Sequence, residues 1–337
     1  MKRIRVGLNG FGRIGRAFTR IASRRDTFDI VAVNTRKTPP ETLAYLLQYD
    51  SVYRRFEKTV THDEKSISID GKNIAVLMAP TIEETPWDHF GVDVVIDATG
   101  AFTNKVDLAK HIKGSVKKVI LTAPSKDDET PHIVLGVNSD SFNFAGETVI
   151  SNASCTTNCS SPLFKVLNDN FKVNHGFLTT VHAYTQTQSL LDDSGKSFDR
   201  ARAAALNIVP STTGAAKAVV KTIPELKGKV DGMSIRVPVP TGSFTDVTAI
   251  VDKPTTVEEV NRLFKEASET SMKGILGYED VLLVSSDYIG SPYSCIFDAN
   301  YTKVIENTFV KVFGWYDNEW GYSTRLVDLV EKTSDFI

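Results

Sequence analysis

The chain has 337 residues, of which 41% are hydrophobic and 24% charged, and its formal net charge is −2 at pH 7. This length predicts about two domains with enough apolar side chains for two cores. The near balance of acidic and basic residues predicts no nucleic-acid or membrane partner. The odd count of three cysteines predicts no disulfide scaffold and a reducing compartment. The N-terminus lacks the apolar segment of a signal peptide and no stretch is long and apolar enough to span a membrane, which predicts a soluble cytoplasmic protein.

The first part of the chain predicts alternating strands and helices. Helical patterns cover residues 13–24 and 104–113, and short apolar runs typical of buried strands precede and follow each of them. Those runs are residues 4–9, 30–33, 93–97 and 118–122. The first three elements have the length of a βαβ crossover, so the pattern predicts a doubly wound α/β domain with a parallel sheet.

The second part of the chain is richer in strands separated by loops, which predicts an α+β domain with a mainly antiparallel or mixed sheet. The predicted strands are residues 176–183, 233–239, 244–251 and 308–316. A helix is predicted at 156–171, where Pro162 is expected either to kink it or to mark a short first turn. The polar segment at 186–213 is predicted to form a long functional loop. An amphipathic helix is predicted at 319–335.

A glycine-rich turn follows the first predicted strand and opens the first predicted helix. It matches the pattern G-x-G-x-x-G, in which glycines allow a tight turn and close approach of the backbone to a pyrophosphate. The glycines of this turn expected to bind a dinucleotide are Gly10, Gly12 and Gly15. The context predicts a Rossmann-type dinucleotide-binding domain.

The second strand ends at Asn34, where dinucleotide-binding domains usually continue with an acidic residue that binds the adenosine ribose. Here Thr35 and Arg36 follow instead. Without a carboxylate to repel it, the 2′-phosphate of NADP could pair with the Arg36 guanidinium, which favours NADP over NAD. The alternative is that Arg36 is a solvated surface charge and that both cofactors bind.

Residues 151–159 (SNASCTTNC) place Cys155 at the start of the predicted second-domain helix. A helix N-terminus favours thiolate, so we expect a lowered pKa and a nucleophilic Cys155. The spacing to Cys159 is not a usual zinc spacing, so no metal site is predicted, and Cys159 and Cys295 are expected to be small buried residues. His182, at the end of a predicted strand, is the candidate partner base.

The remaining histidines lie in charged or loop contexts and are expected at the surface. They are His62, His89, His111, His132 and His175.

Six sequence blocks in order resemble phosphorylating glyceraldehyde-3-phosphate dehydrogenase over almost the whole chain. The blocks are NGFGRIGR (9–16), SNASCTTNC (151–159), VHAYT (181–185), STTGAAKAV (211–219), RVPVP (236–240) and WYDNEWGYS (315–323). The resemblance implies that Cys155 forms a thiohemiacetal and then a thioester, that His182 acts as base, and that inorganic phosphate releases 1,3-bisphosphoglycerate. It also implies a homotetramer in which the long loop reaches a neighbour's cofactor.

The same resemblance implies binding roles for further residues. Thr185 and Arg236 would hold the substrate phosphate, and the attacking phosphate would be held by Ser154, Thr156, Thr213 and Gly214. Asn318 would bind the nicotinamide carboxamide and Tyr322 would pack near its ring. Arg13 and Ile14 would contact the pyrophosphate of the cofactor. The dinucleotide cleft would be lined by Thr99, Gly100 and Thr122. The return of the last helix to the first domain implies a dinucleotide-binding domain of residues 1–154 and 319–337 and a catalytic domain of 155–318.

Several positions depart from the family pattern. The usual Asn-Asp after Thr185 is replaced by Gln186 and Thr187, and Asp199 replaces one arginine near the attacking-phosphate pocket. Asp193 and Ser194 replace a usual Leu-Pro, a change found where NADP is tolerated. Erythrose-4-phosphate dehydrogenase is the enzymatic alternative, and a scaffold protein that binds a dinucleotide without catalysis is the alternative from another class.

Overall fold

The computed structural model describes residues 3–25, 27–195 and 197–337. Its contacts divide the chain into two compact units. The first comprises the described residues up to Ile133 together with Ser141–Ala153 and Ser323–Ile337, and the second comprises Val134–Asp140 and Ser154–Tyr322. The functional boundaries expected after residues 154 and 318 stay a prediction.

The first unit contains the alternating elements that the sequence predicts. In chain order they are β1 (Arg5–Asn9), α1 (Arg13–Ala22), β2 (Asp29–Asn34), α2 (Pro40–Gln48), β3 (Tyr49–Asp50), β4 (Arg54–Arg55), β5 (Val60–His62), β6 (Ser66–Ile69), β7 (Lys72–Leu77), β8 (Val94–Asp97), α3 (Lys105–Ala109), β9 (Lys118–Leu121) and β10 (Val149–Ser151). A short 3-10 turn at Trp87–Phe90 precedes β8.

The main sheet of the first unit has the strand order β10-β9-β8-β1-β2-β7-β6-β5. The strands from β10 to β7 in this order run parallel, and β6 and β5 add an antiparallel edge. The register aligns Asn9 with Asn34 on one side and with Asp97 on the other. Three carboxyl strand ends therefore meet at one edge, where ligands bind in doubly wound sheets. The predicted α/β class is confirmed.

Helix α3 is shorter than the helix predicted at 104–113. The Asn104 side chain caps it by accepting the Asp107 N–H, so its start agrees with the prediction. After Ala109 the backbone N–H groups of Lys110, His111 and Ile112 donate to carbonyls three residues earlier, so the α-helix ends in a series of turns.

The second unit is built on a mixed sheet, as predicted. Its elements are α4 (Cys155–Phe171), β11 (Val173–Ala183), β12 (Val209–Thr212), α5 (Ala215–Thr222), β13 (Val230–Val237), β14 (Ser243–Val251), α6 (Val257–Glu269), β15 (Leu276–Glu279), β16 (Cys295–Asp298), β17 (Lys303–Ile305) and β18 (Phe309–Tyr316). The order is β12-β13-β11-β14-β18-β16-β15, with β17 paired to β18. The pairs β11–β13 and β15–β16 are parallel. Helix α7 (Trp320–Ser334) follows, and most of it belongs to the first unit.

Helices α4, α5 and α6 form a core with one face of this sheet, through residues such as Leu163, Val219 and Phe264. Alternate strand residues point the other way, and Phe177 on that outer face is 68% exposed. Helix α4 is continuous through the buried Pro162, so the predicted short first turn is wrong. Among the residues that the structure describes, no helix is long and apolar enough to cross a membrane.

Candidate active site

Cys155 is the first residue of α4 and is half-buried. Ser154 caps the helix, because its Oγ accepts the N–H of Thr157 at 3.0 Å. The cap fixes the first turn of the helix and thereby the direction of the neighbouring thiol. His182 lies near the end of β11, and its Nε2 is 3.4 Å from the Cys155 Sγ. The fold therefore brings the two predicted catalytic side chains into contact.

Burial controls the protonation of this pair. It raises the pKa of the Cys155 thiol to about 11, opposed by the Arg236 charge and by hydrogen bonds from Thr156. Burial, together with the charges of Arg236 and Arg200, lowers the pKa of His182 to about 3. The lowered thiol pKa expected from the helix start is wrong for the protein without ligands, because burial outweighs the helix N-terminus. At neutral pH the pair is a thiol beside a neutral imidazole.

Arg236 reaches His182 because the parallel register of β11 and β13 places the two residues side by side. The Arg236 Nη1 is 2.8 Å from the His182 Nδ1 and 3.1 Å from the Ala183 carbonyl oxygen. The same His182 Nδ1 lies 2.7 Å from that carbonyl. A neutral Nδ1 can accept from Arg236 or donate to Ala183, but not both, so the two bonds require opposite tautomers.

Arg236 has no carboxylate partner among the residues that the structure describes, and its buried Nε is unpaired. A second cation lies close enough for its charge to lower the pKa of both His182 and Arg236. This is Arg200, whose Nη1 donates to the Thr187 Oγ1 at 2.9 Å. The Thr187 hydroxyl also bonds that of Thr185 at 2.9 Å. The nearest carboxylate to Arg200 in the sequence is that of Asp199, which accepts hydrogen bonds from Ser211 and from the Arg200 backbone N–H. Two cations that form no ion pair with the residues described are suited to an anion.

Arg200 is not among the site residues that the sequence predicts. The residue was visible in the run from Asp199 to Arg202, but nothing in the run shows which of its arginines turns toward Thr187. Arg202 instead pairs with Asp192 at 3.0 Å on the surface. The direction of each side chain follows from the folded loop.

The residues predicted for the attacking phosphate lie at two helix starts. Gly214 precedes α5, and a Cβ there would meet no atom within 4 Å, so a ligand has space to approach the backbone at this helix start. The Thr213 Oγ1 accepts the Ala215 N–H at 3.1 Å. Thr156 differs, because its buried Oγ1 bonds the Tyr316 hydroxyl at 2.9 Å. The Tyr316 hydroxyl also bonds Thr180 on β11 at 2.8 Å and so links α4 to the strand that carries His182.

Asn318 is held between β18 and α7 and is 5% exposed. Its Oδ1 accepts from the hydroxyls of Ser243, at 2.9 Å, and Thr241, at 3.2 Å. This arrangement leaves the amide N–H groups as the donors that a ligand could use. Tyr322 lies in the first turn of α7 and is buried.

The first unit contains a cavity of about 170 Å³ beside the carboxyl ends of β1 and β2. No acidic side chain is found among the described residues that line it. Arg36 is exposed there and has no hydrogen bond or ion pair with the part of the chain that the structure describes. The predicted cofactor residues in its lining are Gly10, Asn34, Thr35, Arg36 and Thr99.

The glycine turn has the shape that a pyrophosphate requires. Gly10 has a φ of +100°, and a Cβ on Gly15 would lie 2.6 Å from the Gly10 carbonyl oxygen. A Cβ on Gly12, before the first turn of α1, would meet no atom within 4 Å, which leaves open space at the helix start. The residues fit a dinucleotide.

The other predicted cofactor residues surround this edge of the sheet. The Arg13 guanidinium is bonded to Asp50 at 2.7 Å. Ile14 follows it, half-buried, in α1. Gly100 has a φ of +67° and is exposed, and the Thr122 N–H donates to the Asp97 carbonyl at 3.0 Å. Gly100 and Thr122 are not in the cavity lining.

The structure agrees with the predicted positions of the remaining thiols but not with those of two histidines. Cys159 and Cys295 are buried and form no disulfide. His111 and His132 are also buried, so their predicted surface positions are wrong. The turns after α3 direct His111 inward, and His132 Nε2 accepts the Ser125 N–H at 2.9 Å. Within the described ranges no group of three His, Cys, Asp or Glu side chains could hold a metal.

Comparisons with known proteins agree with this geometry. Residues 4–105 match the glyceraldehyde 3-phosphate dehydrogenase NAD binding domain, and residues 154–318 match the C-terminal domain of the same family. The chain is 52% identical to "Glyceraldehyde-3-phosphate dehydrogenase 2" of Streptomyces avermitilis and to "Glyceraldehyde-3-phosphate dehydrogenase" of Streptomyces coelicolor, with 97% of each chain covered. It is 48% identical to "Glyceraldehyde-3-phosphate dehydrogenase 2" of a Nostoc species, over 98% of this chain and 99% of the relative. The chain is thus an oxidoreductase with a nicotinamide dinucleotide cofactor, and it belongs to the glyceraldehyde-3-phosphate dehydrogenase family.

Proposed function

We propose that this protein catalyses the reversible, phosphorylating oxidation of glyceraldehyde 3-phosphate to 1,3-bisphosphoglycerate, with Cys155 as nucleophile and His182 as base. The observation that carries the proposal is the 3.4 Å contact between the Cys155 Sγ and the His182 Nε2. Beside it lies an arginine, Arg236, without a carboxylate partner among the described residues. The thiol can attack the aldehyde carbon, the imidazole can accept a proton, and the cation can bind the phosphate of a phosphorylated aldehyde.

In the proposed reaction the Cys155 sulfur bonds to the aldehyde carbon, and His182 takes the thiol proton and passes it to the former carbonyl oxygen, giving a thiohemiacetal. A bound nicotinamide would supply the hydride acceptor for the oxidation of that carbon. As the hydride leaves, His182 takes the hydroxyl proton and a thioester remains on Cys155. An oxygen of inorganic phosphate then attacks the thioester carbon, the C–S bond breaks to form the acyl phosphate, and the proton held by His182 returns to the sulfur to restore the thiol.

His182 can accept a proton on Nε2 only if its own proton is on Nδ1 and donated to the Ala183 carbonyl. In the protein without ligands, Arg236 competes for that Nδ1 at 2.8 Å. A substrate phosphate that draws the guanidinium away would remove the competition and favour the basic tautomer. We therefore assign the substrate phosphate to Arg236 and Thr185, with Arg200 as an additional cation.

The attacking phosphate is assigned to Ser154, Thr213 and Gly214, together with the backbone N–H of Thr156. Open space at Gly214 and the two helix N-termini support this assignment, because backbone N–H groups there favour anions. The side-chain hydroxyl of Thr156 is less suited, since it is bonded to Tyr316.

NADP is the proposed preferred cofactor, with NAD as the alternative. The support is the lining of the cavity, where the exposed Arg36 meets no acidic side chain among the residues described. The Thr35 hydroxyl donates to the Thr38 carbonyl at 3.1 Å, so the charge of Arg36 is the main attraction for a 2′-phosphate. The nicotinamide end is assigned to Asn318 and Tyr322.

A homotetramer is proposed as the working state. The outer face of the second unit's sheet and the loop at 186–213 expose large apolar side chains that a partner subunit would cover. They include Phe177, Leu190, Leu191, Phe198, Leu206, Ile208, Met233, Ile250 and Phe309. The cytoplasmic location stays a prediction from the sequence.

Initial rates with glyceraldehyde 3-phosphate and with erythrose 4-phosphate, each with inorganic phosphate and either NADP or NAD, test the proposal. We expect the highest kcat/KM for the triose with NADP. A higher kcat/KM for erythrose 4-phosphate would replace the proposed substrate by that of erythrose-4-phosphate dehydrogenase. Dinucleotide binding without turnover of either aldehyde would support the scaffold alternative instead.

A further inference from the structure

A series of buried, hydrogen-bonded side chains connects Trp87 with the cavity of the first unit. The Trp87 Nε1–H donates to the His111 Nδ1 at 3.1 Å, and the His111 Nε2 lies 3.3 Å from the Asp97 Oδ2. The Asn9 Nδ2 donates to the same Asp97 oxygen at 2.8 Å, and the Asn34 Nδ2 donates to the Asn9 Oδ1 at 2.9 Å. These five side chains are at most 5% exposed.

The partners fix the tautomer of His111. An indole N–H can only donate, so the His111 Nδ1 must accept and the ring proton is on Nε2, which donates to Asp97. The second oxygen of Asp97 accepts the N–H of Thr99 at 3.1 Å and its hydroxyl at 2.7 Å. Neutral donors therefore orient a carboxyl group that is 0% exposed.

The series of hydrogen bonds reaches two parts of the cavity lining. The sheet register puts Asn34, Asn9 and Asp97 in one row at the carboxyl strand ends. Asn9, Asn34 and Thr99 line the cavity, and the Asn34 Oδ1 accepts the N–H of Ala79, another lining residue, at 3.0 Å. The orientation of Asp97 is thereby transmitted to Thr99 directly and to Ala79 through the two asparagines.

We propose that His111 is a positioning residue for the dinucleotide: by orienting Asp97 it preorganises the walls of the adenosine end of the cofactor site, without touching the cofactor. The inference rests on the proposed placement of the adenosine portion in this cavity. The bond to Asp97 carries the positioning effect, whereas the bond to Trp87 selects the tautomer and contributes to packing.

Two variants separate these bonds. In His111→Gln the terminal amide can reproduce the Nε2 donor to Asp97, whereas in His111→Asn the shorter amide can accept from Trp87 but cannot reach Asp97. Isothermal titration of each full-length variant with NADP and with NAD gives the Kd values. Thermal unfolding and the alkylation rate of Cys155, a residue of the second unit, report on folding.

We expect His111→Asn to raise the dinucleotide Kd about tenfold, the scale of a lost hydrogen bond to a buried charged group, and His111→Gln to raise it less than about threefold. Cys155 alkylation should be unchanged in both. Equal Kd values in the two variants, or a loss of thermal stability without a change in Kd, would overturn the proposal. Thr35→Asp tests the cavity placement separately: an unchanged NADP-to-NAD affinity ratio there would reject the placement itself, whatever the His111 variants show.

Discussion

The proposed sites of the two units differ in how many charged side chains they contain. In the first unit the cavity proposed for the dinucleotide lies at the carboxyl strand ends and is lined by neutral residues and the exposed Arg36. Neutral donors orient the buried Asp97 beside it. In the second unit two arginines without an acidic partner among the described residues lie beside a thiol and a neutral imidazole. The first site has one exposed cation, Arg36, in its lining, whereas in the second site two cations lie beside the thiol and imidazole proposed for the chemistry. Substitution of the thiol should therefore change catalysis without changing cofactor binding, and a carboxylate added beside Arg36 should change the choice of cofactor.

The sharpest test of this separation is Cys155→Ser. It should lower kcat by at least about a thousandfold, because a serine hydroxyl beside a poorly basic His182 is a weak nucleophile. The Kd for the dinucleotide, measured by titration calorimetry, should be unchanged.

The matched control is Cys159→Ala, one helical turn further along α4 in the core. It should lower stability slightly and keep most of the activity. Comparable loss of kcat in the two variants would contradict the assignment of Cys155.

Thr35→Asp tests the other unit. A carboxylate at the end of β2 would repel a 2′-phosphate, so the ratio of kcat/KM for NADP to that for NAD should fall about tenfold or more. Thr61→Asp, on the exposed edge strand β5 and outside the cavity lining, serves as the charge control and should leave the ratio unchanged. An unchanged ratio in Thr35→Asp would remove the basis for the NADP preference.

A smaller effect is expected for Arg236→Gln on the thiol itself. The Arg236 charge lowers the pKa of both Cys155 and His182, so its removal should raise both. Because the thiol pKa is already about 11, the alkylation rate of the unliganded protein should rise with pH from 7 to 9 without reaching a plateau. At each pH the variant should react about threefold more slowly, since less thiolate is present.

Iodoacetamide alkylation followed by peptide mass spectrometry measures this effect. Arg202→Gln removes a charge that is paired with Asp192 at the surface and should leave the rate unchanged. A plateau at neutral pH, or equal rates in wild type and Arg236→Gln, would mean that the thiol is already ionised in the free protein and that Arg236 does not control it.

Much of this organisation was predictable because its signals are local. The βαβ pattern, the glycine turn and the cap before Cys155 each lie within a few consecutive residues. The contact of Cys155 with His182 and the direction of Arg236 depend on packing of α4 and on strand register, so the residues could be proposed only as candidates. The inward orientation of His111 and the Tyr316 hydroxyl bridge depend on partners distant in sequence. The pKa of Cys155 was mispredicted because burial, a tertiary property, outweighs the helix start.

The central claim is that Cys155 carries the substrate as a thioester. Mixing the full-length protein with glyceraldehyde 3-phosphate and NADP in phosphate-free buffer, followed by acid quench and peptide mass spectrometry, tests it most directly. We expect an acyl group on Cys155, one reduced dinucleotide per acylated chain, and release of the acyl group when phosphate is added. Reduced dinucleotide without acylated Cys155, or acylation at Cys159 or Cys295 instead, would contradict the claim.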